Sequence, residues 1–185
     1  MIATTGSLRR RALGLSLGVL ALGAGCGGVK DASQITLALG PAQLDIVEAT
    51  GTRHGVVLAA DGQVTVDGTA LVTVTTKGRL TSDGGPALVL TKDGSVLSGG
   101  QRTNLQITPA PAFILDGTAQ LTMDDAGAIT GPLLEDLDHP MFNADGATLT
   151  YKGPTAARRT MMFVLAGALT RGDVKPAPVP PLPAR

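Results

Sequence analysis

Apolar and polar residues alternate in short runs between residues 34 and 153, a pattern typical of half-buried β-strands. Within this region, residues 53–100 divide without a gap into three 16-residue blocks, 53–68, 69–84 and 85–100. Apolar residues recur at equivalent positions of the blocks, among them two columns formed by Leu58, Val74 and Leu90 and by Val64, Leu80 and Val96. Columns in phase over three blocks predict a repeated supersecondary unit.

Glycines occupy two further columns of the blocks, and we interpret them as structural turns: Gly62, Gly78 and Gly94, then Gly68, Gly84 and Gly100. A two-residue turn would place Val64 opposite Ala59. A three-residue turn closed by a left-handed glycine places Val64 opposite Leu58 and keeps each apolar column on one face. The pattern therefore predicts a mainly β protein, an antiparallel meander of glycine-turn hairpins. The alternative is a β-solenoid with one coil per block.

The segments around the blocks complete a single β-rich domain over residues 34–172. Alternation in residues 35–39 predicts a first strand, and residues 44–47 are a strand or a short helix. Residues 155–170 predict one C-terminal helix that covers an open side of the sheet, with a buried strand as the alternative. Residues 173–185 are rich in proline, which predicts an extended, disordered tail.

The first 25 residues are typical of a signal peptide. Three arginines at positions 9–11 precede an uncharged stretch from Ala12 to Gly25. This stretch is shorter than the roughly 20 apolar residues that span a bilayer, which favours a cleaved leader.

The residues Leu22-Gly23-Ala24-Gly25-Cys26 at the end of the leader resemble the lipobox of bacterial lipoproteins. The resemblance implies that Cys26 carries the lipid and becomes the new N-terminus, followed by a flexible tether over residues 26–33. It also implies a cell-envelope protein held in a membrane and facing the periplasm or the cell surface. The alternative is an ordinary secretory signal cut near Ala24 or Gly25.

Composition narrows the function classes. The chain has 15 basic and 15 acidic residues, and loss of the three leader arginines leaves a formal charge of −3. A mildly acidic body with four aromatic residues argues against nucleic-acid binding. One cysteine cannot form an intramolecular disulfide or a cysteine-based zinc cluster.

Candidate chemistry is sparse. His54 is predicted to be a solvent-exposed loop residue. The acidic run at residues 135–139 contains Asp136, Asp138 and His139, which are weak candidates for a metal site because the glycine of a calcium loop is missing. No cofactor, metal or catalytic residue is predicted.

These observations predict a lipid-anchored structural or binding module of the cell envelope, without enzymatic activity. Its expected partners are the membrane, through the lipid, and an envelope protein or polymer. A first alternative is a β-sheet or barrel that binds an apolar or envelope ligand in a cavity lined by the Leu58 and Leu90 columns. A second alternative is a hydrolase that uses His139 with Asp136 or Asp138.

Overall fold

The computed structural model describes residues 35–82, 84–134, 138–139, 142–143 and 146–170, and for 138–139 and 142–143 it describes the backbone alone. Its β-strands are β1 (Ala42–Val47), β2 (Arg53–Leu58), β3 (Gln63–Val66), β4 (Thr69–Val74), β5 (Arg79–Thr81), β6 (Leu88–Leu90), β7 (Ser95–Ser98), β8 (Gln101–Ile107), β9 (Ala112–Leu115), β10 (Thr118–Met123), β11 (Ala128–Thr130), β12 (Asp138–His139), β13 (Phe142–Asn143) and β14 (Thr148–Lys152). The helix α1 spans Arg158–Leu169, and short 3-10 helices span Pro132–Leu134 and Thr155–Ala157.

Twelve of these strands form a closed antiparallel barrel. Strands β1 to β11 follow one another around the barrel, and β14 closes it by pairing with both β11 and β1. Strands β12 and β13 form a separate two-stranded sheet. The prediction of antiparallel hairpins is therefore confirmed, and the β-solenoid alternative is wrong because neighbouring strands run in opposite directions.

The hairpin register follows the three-residue turn. Leu58 pairs with Val64, Val74 with Leu80 and Leu90 with Val96, as predicted. Each 16-residue block contains one such hairpin, β2–β3, β4–β5 or β6–β7. The paired apolar side chains all point into the barrel, where they are buried.

The helix α1 lies inside the barrel, so the expectation that it covers an open side of a sheet was wrong. All ten residues from Thr160 to Leu169 are buried. Gly167 faces Leu80 and Leu88 on one side of the lumen, and other helix residues contact side chains of β1 to β4. A helix that is apolar on all sides needs such an enclosure.

The size of the lumen explains why a helix fits. A ring of 12 strands, spaced about 4.8 Å apart and tilted by about 40°, has a backbone diameter of about 24 Å. Inward side chains from opposite walls leave a central space close to the 10–12 Å diameter of an α-helix. The helix thus supplies the middle of the core that the strands alone leave empty.

The segment before β1 also differs from expectation. Residues 35–40 form no strand. Instead, Leu37 donates its N–H to the carbonyl of Thr76 at 2.7 Å, and Ile35 and Leu37 are buried against the turns at one end of the barrel. Apolar and polar residues alternate in this segment because Ile35 and Leu37 cover the end of the barrel, while the residue between them faces the solvent. Residues 44–47 belong to β1, which confirms the strand and not the helix alternative for them.

The barrel has two different ends. At the entry end, residue 35 joins the fold, α1 begins, and the turns span 59–62, 75–78, 91–94, 108–111 and 124–127. At the exit end, α1 finishes at Leu169, and tight turns lie at 67–68, 99–100 and 116–117. In the described part of the chain, no helix combines the length and hydropathy needed to cross a bilayer.

Candidate functional site at the exit end of the barrel

Two of the predicted anchor and metal-site residues lie outside the described structure. Cys26 and Asp136 lie outside the described residues, as do the leader, the tether and the proline-rich tail. Asp138 and His139 form β12, which pairs with β13, and the structure describes only their backbone. The hydrolase alternative therefore stays a prediction.

The six predicted turn glycines all have positive φ, between 72° and 90°. The two columns differ in their surroundings. A Cβ on Gly94 would lie 2.7 Å from the carbonyl oxygen of Ile107, and Gly62 and Gly78 are similarly crowded by the next strand. Gly68, Gly84 and Gly100 have nothing within 4 Å of an added Cβ. The first column is needed for close packing, the second only for backbone conformation.

A cluster of ionisable side chains at the exit end was missed by the sequence reasoning. His54 lies in β2 and is not a solvent-exposed loop residue, because its side chain is only 18% exposed. Its Nδ1 lies 2.8 Å from Oδ2 of Asp67, and its Nε2 lies 3.3 Å from Oε1 of Glu48. We call Glu48, His54 and Asp67 the rim cluster.

The fold places the rim cluster through three neighbouring elements. His54 pairs with Ile46 of β1, whose side chain is buried in the lumen, so both residues project to the same side of the sheet. Asp67 occupies the tight turn between β3 and β4 with a φ of 50°, a conformation that aspartate tolerates better than most residues. Its Oδ1 accepts the N–H of Gly55 at 2.8 Å, which fixes the carboxylate beside β2.

The alternation of side chains along β2 is the sequence signal that identifies His54 as inward-facing. It precedes Val56 and Leu58 at intervals of two, and both of those residues face the lumen. The partners of His54 carry no such signal, because Glu48 and Asp67 approach it from separate turns.

The electrostatics of the cluster are mutual. The hydrogen bond from His54 to the carboxylate of Asp67 is the largest influence on the pKa of His54 and raises it. Burial opposes this rise, and Glu48 adds to it. The pKa of Asp67 is lowered, first by His54 and then by the N–H of Gly55. Both ring nitrogens face carboxylate oxygens, so neither nitrogen is directed at a substrate hydroxyl.

At the entry end, side chains fasten the start of α1. Arg159 donates to the carbonyl of Ile107 at 2.8 Å, and Thr160 donates to the carbonyl of Ala38 at 2.8 Å. Arg158 forms an ion pair with Asp125 at 3.5 Å. Burial lowers the pKa of Arg159. Two cations at a helix N-terminus oppose the helix dipole, so these contacts offset an unfavourable charge placement.

Two spaces bear on ligand binding. The side chains of Leu58 and Leu90 are fully buried, and the void between α1 and strands β1 to β4 measures about 10 Å³, roughly the space of one water. A groove of about 160 Å³ lies on the outer face of β3 to β5, where Gln63, Thr73 and Thr81 line it. Among the described residues, no group of three or more His, Cys, Asp or Glu side chains is placed to hold a metal ion.

Comparison with known proteins adds no relative: no family model matches the chain, and neither a curated protein nor a solved structure matches it.

Proposed function

We propose that this chain is a lipid-anchored protein of the cell envelope that serves as a structural or binding module and has no catalytic activity of its own. The observation that best supports this proposal is that α1 runs through the barrel. The described chain therefore starts at the entry end with Ile35 and leaves at the exit end after Leu169. An anchored module needs one side that faces the membrane and another that faces its partner. Here the entry end and the exit end would take these two roles, with the length of the barrel between them.

The tether sets the distance to the membrane. Ile35 lies nine positions after Cys26, and an extended chain covers at most about 3.5 Å per residue, or about 30 Å in total. Lipid on Cys26 would hold the entry end within that distance of the bilayer. The exit end, with the rim cluster, would then face away from the membrane toward an envelope protein or polymer.

Fractionation of a Cys26→Ala variant tests the anchor. Cells that express wild type, Cys26→Ala or the neighbouring control Gly27→Ala are fed an alkyne-labelled fatty acid and separated into membrane and soluble fractions. Wild type and Gly27→Ala should carry the label and sediment with membranes, whereas Cys26→Ala should lose both properties. Retention of unlabelled wild type in the membrane would contradict lipidation.

The orientation can be tested separately. Cys26 is the only cysteine, and a lipidated thiol is blocked, so a single introduced cysteine can carry a fluorophore. Exposed Lys92 at the entry end and exposed Gln101 at the exit end are suitable positions. On vesicles that contain a lipid quencher, Lys92→Cys should be quenched more strongly than Gln101→Cys. Equal quenching would refute the proposed orientation while leaving lipidation intact.

The closed barrel also supports the alternative of a ligand-binding module. The void between α1 and strands β1 to β4 is the interior place at which an apolar ligand would enter, by widening the gap beside Leu44 and Val164. A bound fatty acid or lipid should then raise the melting temperature in proportion to its concentration. A Val164→Leu substitution, which extends one more methylene into the void, should weaken that rise.

A further inference from the structure

The rim cluster joins three chain segments through their side chains at the exit end of the barrel. Glu48 lies in the loop after β1, His54 in β2, and Asp67 in the turn between β3 and β4. The side chain of Glu48 is 12% exposed and that of Asp67 is 50% exposed. His54 is thus held between a carboxylate that is largely buried and one that borders the solvent.

The number of protons in the cluster follows from its geometry. A neutral imidazole carries one N–H, whereas both ring nitrogens of His54 lie within 3.3 Å of a carboxylate oxygen. In the neutral form one nitrogen lone pair would point at an anionic oxygen. Only a cluster with one additional proton satisfies both contacts, and the imidazole is the most basic group available to hold it.

The charges that act on His54 come from its two partners. The groups that influence it are Asp67 in the β3–β4 turn and Glu48 in the β1–β2 loop. The last turn of α1 carries no basic residue. Arg53, the sequence neighbour of His54, acts on Asp45. Loss of the imidazolium proton therefore removes the positive charge that pairs these two carboxylates.

We propose that the rim cluster is a pH-operated latch that holds the exit end of the barrel closed while His54 is protonated and loosens it when His54 loses its proton. The segment under control runs from Glu48 to Leu71. It borders the void beside α1, which Ile46, Val66 and Leu169 also line. Loosening the latch would open the barrel at a place where α1 borders a void. The latch is a property of the barrel and does not depend on lipid attachment.

The direction of the response follows from the two kinds of group. Because the pKa of His54 is raised above 6.5 in the folded state, its stabilisation is complete below pH 6.5 and is lost as the pH rises through the folded value. The pKa of Asp67 is lowered below 3.8, so its contribution is present above pH 3.8 and is lost as the pH falls through the folded value. The latch is therefore strongest between about pH 4 and 6.5.

Two backbone amides report the state of the latch directly. The N–H of Gly55 donates to Oδ1 of Asp67, and the N–H of Asp67 donates to the carbonyl of Gly55 at 2.9 Å. Hydrogen exchange of these amides is measured by NMR between pH 5.5 and 8.5 and corrected for the intrinsic rate. Their opening should increase about tenfold over this range, as expected for loss of a charge-assisted hydrogen bond.

Three variants connect the response to the residues. His54→Gln should remove the pH dependence. Asp67→Asn keeps a residue that tolerates positive φ, so the turn survives, and the imidazole should titrate at lower pH than in wild type. Asp116→Asn is the matched control, because Asp116 occupies an equivalent turn with a φ of 51° and binds Asn104 instead of a histidine. That variant should leave the titration of His54 unchanged.

The wild-type ring-nitrogen titration keeps the proposal testable even if a variant does not fold. A midpoint for His54 above pH 6.5, with a parallel loss of amide protection, supports the latch. A midpoint at or below pH 6.5 would overturn it, as would equal amide opening at pH 5.5 and 8.5. An unchanged midpoint in folded Asp67→Asn would overturn it as well.

Discussion

Alanine substitutions at Gly94 and Gly100 should separate two glycines that the sequence pattern treats alike. Both have strongly positive φ, 90° and 82°. A side chain in this left-handed region costs about 1–2 kcal/mol. Because nothing lies within 4 Å of a Cβ on Gly100, we expect Gly100→Ala to lower the free energy of unfolding by this amount and no more.

Gly94→Ala adds a collision to the same strain. Its Cβ would lie 2.7 Å from the carbonyl oxygen of Ile107, so the end of β8 must shift. That carbonyl accepts the hydrogen bond from Arg159, and the N–H of Ile107 donates to the carbonyl of Gly94. A neutral bond contributes about 0.5–1.5 kcal/mol, and a bond to a charged group about 1.5–3 kcal/mol. If both are lost, the total cost with the backbone strain is about 3–6.5 kcal/mol.

Urea denaturation of residues 27–185 measures both variants. For a domain of this size each kcal/mol lowers the melting temperature by roughly 2–4 °C, so thermal unfolding gives an independent check. Gly94→Ala should unfold at clearly lower urea concentration than Gly100→Ala, with an unchanged slope. Equal destabilisation by the two substitutions would refute the claim that close packing against Ile107 requires Gly94.

Two further substitutions test the core and the turns. Phe163→Ala removes a ring of α1 that is 1% exposed and should lower the free energy of unfolding in urea by about 3–5 kcal/mol. The control Val57→Ala changes a side chain that is 42% exposed on the outer face, and it should alter the free energy of unfolding by less than about 0.5 kcal/mol. Comparable losses would show that α1 does not fill the lumen. Asp93→Asn removes a carboxyl whose pKa is lowered to about 2, first by the hydroxyl of Thr91, then by the N–H of Ser95 and by Arg102. The deficit of this variant relative to wild type should be constant above pH 3.8 and disappear as the pH falls through about 2. A deficit that persists below pH 2 would contradict this cause.

The hairpins were predictable because their information is local. A glycine column, an apolar column four residues before it and another two residues after it fix both the turn and the face that is buried, and Leu58 opposite Val64 follows from these alone. The helix in residues 158–169 was predictable from its residue types, but its place was not. The apolar character of Met161 and Leu165 fits a helix over a sheet as well as a helix inside a barrel.

Closure of the barrel and the rim cluster depend on contacts between distant segments. Gln43 pairs with Lys152 at the seam, and no local pattern indicates that pairing. Register shifts occur where β3 meets β4, where β7 meets β8 and where β9 meets β10, which bends the sheet without a glycine or proline to mark the site. The partners of His54 meet it only because closure brings two separate turns together.

In the described part of the chain α1 follows β1 to β14, and this position also fixes the order in which the barrel can be completed. The hydroxyl of Thr160 binds the carbonyl of Ala38, 122 positions earlier, and such distant contacts make folding slow. Until the ribosome has made α1, the strands have no filling for their lumen and no stable barrel to form. We therefore expect a chain of this design to stay unfolded throughout its synthesis. If the chain is exported, as proposed above, a translocase that accepts only extended polypeptides would receive it in a competent state, and folding would follow translocation.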